Sequence, residues 1–458
     1  MKMIPLNTLT AISPLDGRYR TKVDNLGEIV SEFGLIRYRL FVEICWLMFL
    51  ANAEELPEVK AFSKEATAFL TNLFENFTEE DAAHIKAIEN KINHDVKAVE
   101  YFLKEKLTEH EDLNDHVEWV HFACTSEDIN NLAYALMLKE LFEEHCFPTM
   151  QSLCETFQSL ATEFSAFAML SHTHGQAASS TTLGKEFANF ADRLSQQYEL
   201  FTSLPIVGKF NGAVGNFNAH TIAFPNADWP TLSAKFVESL GLENNAYTTQ
   251  IEPHDYIANL SNTLSLFNTI LLDACRDIWG YISLGYLQQK TNNEEVGSST
   301  MPHKVNPIDF ENAEGNLGLS NALLNFFAQK LPISRWQRDL SDSTVLRNLG
   351  SAFAYALIAY QSALKGISKL AANQEILKLA LENHWEILAE AIQTVMRKHG
   401  LENPYEQLKD LTRGKELTQE NLHEFIDGLS LPKKTKELLK QLRPETYIGF
   451  AEELAKQV

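Results

Sequence analysis

The sequence is short of basic residues, cysteine, glycine and proline. Its 39 Lys and Arg are outnumbered by 61 Asp and Glu, which gives a formal net charge of -22. This balance excludes a nucleic-acid-binding surface, because phosphate backbones are bound by an excess of Lys and Arg. The five cysteines are odd in number and form no CxxC pair, so we expect reduced and mostly buried thiols. Glycine and proline are too sparse to interrupt long helices often.

The sequence also lacks an apolar run long enough to cross a membrane. The most apolar stretch, residues 40–53, contains Glu43 and is shorter than the roughly 20 residues that a bilayer requires. The N-terminal segment reaches Asp16, Arg18 and Arg20 without the apolar core of a signal peptide. These features predict a soluble cytoplasmic protein with no membrane partner.

Helical spacing of apolar residues runs through most of the chain. In two long series, apolar residues recur in alternating steps of three and four, as in the heptad pattern of packed helices. Each series forms an apolar seam along one helix face. The first seam consists of Ile257, Leu260, Leu264, Phe267, Leu271, Ala274, Ile278 and Tyr281. The second consists of Leu346, Leu349, Phe353, Ala356, Tyr360, Leu364 and Ile367. A third helix should follow Thr125, with Asp128 completing a capping box, and Pro148 should kink or interrupt it.

We therefore predict an all-α fold of three helical domains, the central one an elongated bundle of long helices. Shorter helical pieces and acidic connectors indicate an N-terminal domain at residues 1–122. The long seams place the bundle at residues 123–368, and breaks such as the one near Gly400 indicate a small C-terminal domain at residues 369–458. Seams on helices this long are expected to continue into other subunits.

A polar loop at residues 297–307 separates two of the long helical patterns. It carries adjacent hydroxyls at Ser298 and Ser299, a single cation at Lys304 and no acidic residue. Irregular loops of this kind are usually functional. Hydroxyls, backbone N–H groups and a cation are suited to holding and deprotonating an anion.

Other polar segments lie at predicted helix starts. They are KINHD at residues 91–95, HFACTSED at 121–128, SHTHGQ at 171–176 and RWQRDLSDSTVLR at 335–347. Taken singly, each fits an N-cap as well as a ligand site. His172 and His174 could ligate a metal, but no third ligand stands at a recognisable spacing. Arg338, Ser343 and Arg347 could clamp a phosphate or carboxylate, the alternative being a solvated helix face.

Seven segments carry a resemblance to known proteins. The loop GSSTMPHKVNP at residues 297–307 resembles the signature of the fumarase/aspartase superfamily of homotetrameric lyases. The other six resemble the adenylosuccinate lyase family of bacterial purine synthesis, and together they extend over nearly the whole chain. They are DGRY from Asp16, NHDVKAVEYF from Asn93, CTSEDINN from Cys124, THGQ from Thr173, TTQIEPHDY from Thr248 and SRWQRDLSDSTVLRN from Ser334.

The resemblance implies an anti β-elimination of fumarate. The substrates would be adenylosuccinate, giving AMP, and the succinylated aminoimidazole carboxamide ribotide, giving the free carboxamide. The implied general base is Ser298, with Ser299 as its nearest competitor, and the implied general acid is His174. His172, where many relatives carry arginine, is the rival acid. Ala177 departs from the proline that relatives commonly have after the glutamine, which would loosen the segment beside His174.

The resemblance also implies the substrate-binding positions. They are Arg18, Tyr19, Asn93, His94, Asp95, Thr125, Ser126, Gln250, Ser299, Lys304, Val305, Asn306, Asn312, Arg338, Ser343 and Arg347. The expected ligands are small anionic nucleotides, with no metal and no cofactor. A homotetramer whose active sites each draw residues from three subunits is implied as well, and it agrees with the long-helix prediction.

Two alternatives stay open at the level of sequence. Another superfamily member, such as argininosuccinate lyase or aspartase, would share the loop but need no phosphate clamp, so inhibition by AMP would separate the two. A non-catalytic helical scaffold would share the fold, and a substrate-binding measurement would reveal it. A metal enzyme is a further possibility that insensitivity to chelators would remove.

Overall fold

The computed structural model describes residues 4–290, 301, 304–412 and 417–458, and most of them are helical. The α-helices are α1 (Arg20–Val23), α2 (Gly27–Val30), α3 (Glu32–Asn52), α4 (Lys64–Glu75), α5 (Glu79–Ile92), α6 (Asp95–Thr108), α7 (Ser126–Leu141), α8 (Phe147–Glu163), α9 (Leu183–Ser203), α10 (Asn218–Ala223), α11 (Trp229–Ser239), α12 (Asp255–Ser283), α13 (Ile308–Lys330), α14 (Ser341–Leu346), α15 (Leu349–Ser368), α16 (Gln374–Glu382), α17 (Ala389–Lys398), α18 (Pro404–Thr412), α19 (Gln419–Gly428), α20 (Lys433–Gln441) and α21 (Ala451–Ala455). The predicted all-α class is confirmed.

Short strands form three two-stranded sheets in the described part of the chain. The strands are β1 (Ala168–Thr173), β2 (Gln176–Thr182), β3 (Val207–Gly208), β4 (Glu243–Asn244), β5 (Leu287–Gln289) and β6 (Leu370–Ala372). Strands β1 and β2 pair antiparallel, as do β5 and β6, while β3 and β4 pair parallel. None of these strands was predicted from the sequence.

The chain divides into two compact units. The first comprises Met1–Thr149, Gln197–Thr269 and Gly315–Ala359, and the second comprises Met150–Gln196, Ile270–Glu314 and Tyr360–Val458. The three-domain layout with boundaries at 122 and 368 stays a prediction.

Each unit has its own apolar cluster. In the first unit, one face of α3 contributes Ile36, Leu40, Ile44 and Leu47 to a cluster shared with α4, α5 and α6. These positions recur at the three- and four-residue spacing that puts side chains on one helix face. In the second unit, α16, α17 and α19 enclose a cluster of buried leucine, isoleucine and methionine side chains that includes Leu170 of β1.

The long seams of the sequence lie on helices. The first seam falls on α12, and all its members except Tyr281 are buried. The second falls on the end of α14 and on α15, and there only Leu364 is half-buried rather than buried. Apolar seams of this kind stabilise helices by burial rather than by intrinsic propensity.

Pro148 lies where the sequence predicted an interruption. Helix α7 ends at Leu141, a π-helical turn covers Phe142–Cys146, and α8 begins one residue before the proline. A proline has no N–H to donate and its ring crowds the carbonyl four residues earlier. A wider π turn ahead of it accommodates both effects.

The burial of most cysteines agrees with the sequence-based expectation. All five cysteines are free, with Cys146, Cys154 and Cys275 buried and the other two half-buried. Within the described ranges, no helix combines the length and hydropathy needed to cross a bilayer.

Candidate active site

The Arg338 guanidinium is held by two side chains of the first unit. Its Nη2 donates to Glu127 Oε1 at 3.0 Å, and its Nη1 donates to Gln250 Oε1 at 3.2 Å. Glu127 lies in the first turn of α7, where the helix dipole favours a carboxylate. The side chain of Arg338 is 19% exposed and that of Glu127 only 4%. Arg338 is therefore fixed from the protein interior and keeps an edge open to solvent.

Arg347 is held in the same unit by a hydroxyl and two carboxylates. Its Nη1 donates to Ser343 Oγ at 2.7 Å, one helical turn earlier. Its Nη2 donates to Asp95 Oδ2 at 3.1 Å, and its Nε lies 3.8 Å from Glu32 Oε2. Three of the predicted substrate-binding residues, Asp95, Ser343 and Arg347, are thus brought together.

Asp95 serves two guanidinium groups. Its Oδ2 also accepts from Arg39 Nη2 at 2.7 Å, and Arg39 is 1% exposed. Burial alone would raise the pKa of the Asp95 carboxyl, but the charge of Arg39, the Val96 N–H and the charge of Arg347 together lower it to about 2. Asp95 is therefore ionised at neutral pH and orients both guanidiniums.

The turn between α5 and α6 explains the position of Asp95. Asn93 ends α5 with φ 54°, a left-handed conformation that asparagine tolerates better than most residues. His94 is the N-cap of α6, and its Nδ1 accepts from the Lys97 N–H at 3.1 Å. The capping role considered for this segment is confirmed, and it places Asp95 at the first helical residue.

The segment before α7 is a second helix start. The predicted capping box forms, with the Thr125 N–H donating to Asp128 Oδ2 at 2.8 Å. Asp128 also pairs with Lys209 Nζ at 2.8 Å, and both side chains are fully buried. Its carboxylate accepts from the N–H groups of Asn211 and Gly212 as well. Asp128 therefore joins the start of α7, next to Ser126, to residues 209–212.

His174 lies in the second unit at the tip of the β1–β2 hairpin. Thr173 pairs with Gln176, and the two residues between them, His174 and Gly175, have φ of 52° and 73°. This is the geometry of a two-residue hairpin turn of type I′. His174 was predicted at a helix entrance, whereas α9 begins only at Leu183, after strand β2. The imidazole is exposed at the turn.

The hairpin is anchored at its other end. Ser179 Oγ donates to the carboxylate of Glu390, and Ser180 Oγ donates to the Pro444 carbonyl at 2.6 Å. The base of β2 is thus fixed to the C-terminal helices of the same unit, while the turn carrying His174 projects from it.

The polar loop is described only in part. Ser298 and Ser299, the proposed base and its competitor, lie outside the described residues. Lys304 and Val305 are exposed, and the Val305 carbonyl accepts from Gln289 Nε2 of β5 at 3.3 Å. Asn306 is half-buried. Asn312, in α13, accepts a hydrogen bond from Ser362 Oγ at 2.8 Å.

The remaining predicted residues lie near the N-terminus. Arg18 is exposed, and Tyr19 is half-buried with the Lys22 ammonium 6.0 Å from its ring centroid. No contact in the first unit joins Arg18 to Arg338 or Arg347 among the described residues.

Several residues of the site region were missed by the sequence analysis. Arg39, Asn130 and Glu127 connect the predicted residues, and the buried His254 lies 3.5 Å from Asp342 Oδ2. Apart from Arg39, these residues fall inside the segments that carried the family resemblance, so the segments held the signal. Arg39 lies outside those segments, and its signal is its position in an apolar helix face. A charged residue is rarely buried in such a face without a partner.

Among the described residues, no group of three or more His, Cys, Asp or Glu side chains could hold a metal ion. His172, the other member of the HxH pair, instead lies with its ring centroid 6.3 Å from that of Tyr286.

Comparison with known families identifies the relatives of this chain. A family model described as lyase matches residues 17–320, and one described as adenylosuccinate lyase C-terminal matches residues 334–448. The adenylosuccinate lyase of Vibrio cholerae is 57% identical over 450 residues, covering 98% of this chain and 99% of the relative. That of Escherichia coli is 56% identical, with coverage of 97% and 98%, and that of Haemophilus influenzae is 56% identical, with coverage of 99% of both chains.

Solved structures agree in fold. A fumarate lyase from Mesorhizobium sp. superposes with a TM-score of 0.75 at 16% identity, covering 95% of this chain and 97% of that one. The 3-carboxy-cis,cis-muconate lactonizing enzyme of Pseudomonas putida gives a TM-score of 0.74 at 19% identity, with coverage of 95% and 96%. At such low identity these structures establish the fold alone.

Proposed function

The chain belongs to the adenylosuccinate lyase family, and we propose that it is an enzyme that cleaves adenylosuccinate into AMP and fumarate. By the same chemistry it would cleave the succinylated aminoimidazole carboxamide ribotide. The observation that carries the proposal is the 56–57% identity to adenylosuccinate lyases along 97–99% of the chain. Lyases of other substrates in the superfamily are therefore set aside.

The reaction requires a strong stabiliser of negative charge. The proton lost in a β-elimination lies next to a carboxylate and is weakly acidic, so the transition state carries extra charge on that carboxylate. Pre-organised cations and N–H groups aimed at developing negative charge are usually the largest single contribution to lowering such a barrier. Ser298 is proposed as the base, with Lys304 and the backbone of the loop stabilising its alkoxide. Ser299 is the competitor for that role.

His174 is proposed as the acid that protonates the departing nitrogen. Its position at an exposed hairpin tip supports this role, because the imidazole is free to meet a ligand while the base of the hairpin is anchored by Ser179 and Ser180. Histidine is the side chain that most often transfers protons in enzymes.

Arg338 and Arg347 are proposed to bind anionic groups of the substrate. The substrate brings two carboxylates and a phosphate, which guanidinium groups bind in a bidentate manner. Both arginines are oriented by carboxylates, Glu127 and Asp95, and both keep part of the side chain exposed. Gln250, Ser343 and the other predicted positions would complete this binding surface.

A cytoplasmic homotetramer with shared active sites is proposed as the working form. In the first unit, large apolar side chains remain about half exposed on two long helices, namely Leu266 on α12 and Leu319 and Phe326 on α13. Exposed apolar side chains along long helices are typical of surfaces that pair with other subunits.

The proposal is tested by an ultraviolet assay that follows loss of the succinylated purine. Purified protein should release AMP and fumarate from adenylosuccinate at the same rate with and without a chelator. Intact substrate in the presence of well-folded protein would refute the proposed function. Loss of activity on chelation would refute the metal-free mechanism.

Single substitutions test the assigned chemistry. Ser298→Ala and His174→Ala should each lower kcat by at least about 100-fold, which is the usual contribution of a general acid or base. Circular dichroism should show that both variants fold. If Ser299→Ala were inactive and Ser298→Ala active, the base would be Ser299.

A further inference from the structure

Arg39 is a buried cation at the centre of a hydrogen-bonded network. It lies in α3 and is 1% exposed. Its Nε donates to Asn130 Oδ1 at 2.8 Å and its Nη2 donates to Asp95 Oδ2 at 2.7 Å. A guanidinium is costly to bury, and replacement of buried ion pairs by apolar groups often stabilises a fold. Stability alone is therefore a weak reason for an arginine at this position.

Both partners of Arg39 lead to an arginine proposed to bind substrate. On one side, Asp95 Oδ2 also accepts from Arg347 Nη2 at 3.1 Å. On the other, Asn130 Nδ2 donates to Glu127 Oε1 at 2.8 Å, and that oxygen accepts from Arg338 Nη2 at 3.0 Å. One continuous chain of hydrogen bonds thus runs from Arg347 through Arg39 to Arg338.

The exposed fraction of the side chains varies along this hydrogen-bonded network. The side chains of Arg39 and Glu127 are 2% and 4% exposed, whereas those of Arg338 and Arg347 are 19% and 37% exposed. Arg39, Asn130 and Glu127 are sealed from water, whereas Asp95, with a side chain 28% exposed, and the arginines at the two ends reach solvent, where a ligand can bind. Charge-assisted hydrogen bonds are stronger in such a sealed environment and hold their partners in fixed orientations.

We propose that Arg39 is a positioning residue for substrate binding, which fixes Asp95 and Asn130 and through them aims Arg347 and Arg338 at the anionic groups of the substrate. The inference rests on the proposed function. Arg39 also adds positive charge to the proposed substrate-binding surface, because the hydrogen-bonded network contains three guanidiniums but only two carboxylates, those of Asp95 and Glu127. The further carboxylate of Glu32 lies at the exposed edge, 3.8 Å from Arg347, where solvent screens it.

Kinetics of Arg39 variants test this role. Arg39→Met, which loses both the charge and the two donors, should raise the KM for adenylosuccinate by about 10- to 100-fold, the loss expected for a charge-assisted hydrogen bond. The fall in kcat should be much smaller. Arg39→Lys should recover part of the KM, because it keeps the charge but cannot span both acceptors. Arg37→Met is the matched control, since Arg37 lies on the same helix with its guanidinium over Phe74 at 4.5 Å.

A double-mutant cycle covers the case in which Arg39→Met fails to fold. Because Arg39 acts partly through Arg347, the effect of Arg39→Lys on KM should be smaller in an Arg347→Lys background than in wild type, and the remainder should pass through Arg338. Additive effects, or an unchanged KM in Arg39→Lys and Asn130→Ala, would overturn the inference. Wild-type protein is assayed first, because a wild type that leaves adenylosuccinate intact refutes the proposed function and not the role of Arg39.

Discussion

At the scale of single residues, His220 shows how burial sets a charge state. It is 1% exposed, neither ring nitrogen has a hydrogen-bond partner, and its ring packs against Trp229 with centroids 4.8 Å apart. Burial lowers the pKa of His220 to about 4, because the charged imidazolium loses its hydration there. The unfolded chain takes up the proton at about 6.5. The stability linked to this neutral ring is therefore complete above pH 6.5 and is lost as the pH falls towards 4.

His220→Phe should remove this acid sensitivity. Phenylalanine keeps an aromatic contact with Trp229 and has no proton to bind, so the variant should gain on the order of 2 kcal/mol over wild type between pH 7.5 and pH 5. Thermal unfolding followed at both pH values measures the difference. His399→Gln, at an exposed histidine, is the control and should leave the pH dependence unchanged. An equal loss of stability on acidification in His220→Phe and wild type would contradict the assignment.

Single residues also show which features of the site can be predicted from the sequence and which cannot. Asp95, Arg338 and Arg347 were found because they stand in segments resembling a known family. Their contacts were not found, because hydrogen bonds such as the one from Arg39 to Asp95 join residues that are distant in the chain. A periodic pattern predicts which face of a helix is buried but gives no information about which polar groups meet there.

At the scale of elements, long helices were predictable and the β1–β2 hairpin was not. The seam of α12 repeats over many turns, so its period is unambiguous. Strands β1 and β2 are short, and their Ser-, Thr- and His-rich sequence lacks regular apolar alternation. Their turn also uses His174 and Gly175 where Asn-Gly or Asp-Gly is the usual signal.

Gly175→Ala should impair catalysis without unfolding the protein. Gly175 has φ +73° and nothing lies within 4 Å of an added Cβ, so the only cost is the strain of alanine in the left-handed region, about 1 kcal/mol. The turn can relieve that strain by shifting His174, and we expect a several-fold fall in kcat. Gly400→Ala is the matched control. Gly400 has φ +67° and nothing lies within 4 Å of an added Cβ, but it has no neighbour that is proposed to be catalytic. Equal kcat values for the two variants would show that the turn does not position His174.

At the scale of the whole molecule, the residues proposed for substrate binding and catalysis are drawn from both units of the chain. Arg338 and Arg347 belong to the first unit, whereas His174 and Lys304 belong to the second. Composition and periodicity indicated the helical class and an oligomer. They could not assign residues to subunits, because a pattern along one chain does not distinguish contacts within a subunit from contacts between subunits.

Mixing two inactive variants tests whether subunits share active sites. If His174 and Ser298 of one site come from different subunits, hybrids of His174→Ala and Ser298→Ala chains contain some sites with both residues intact. Activity should therefore return after the two proteins are dissociated together and reassembled. Two differently tagged preparations of His174→Ala, treated in the same way, should stay inactive. Native mass spectrometry identifies the hybrids, and hybrids without activity would place both residues of each site in the same subunit.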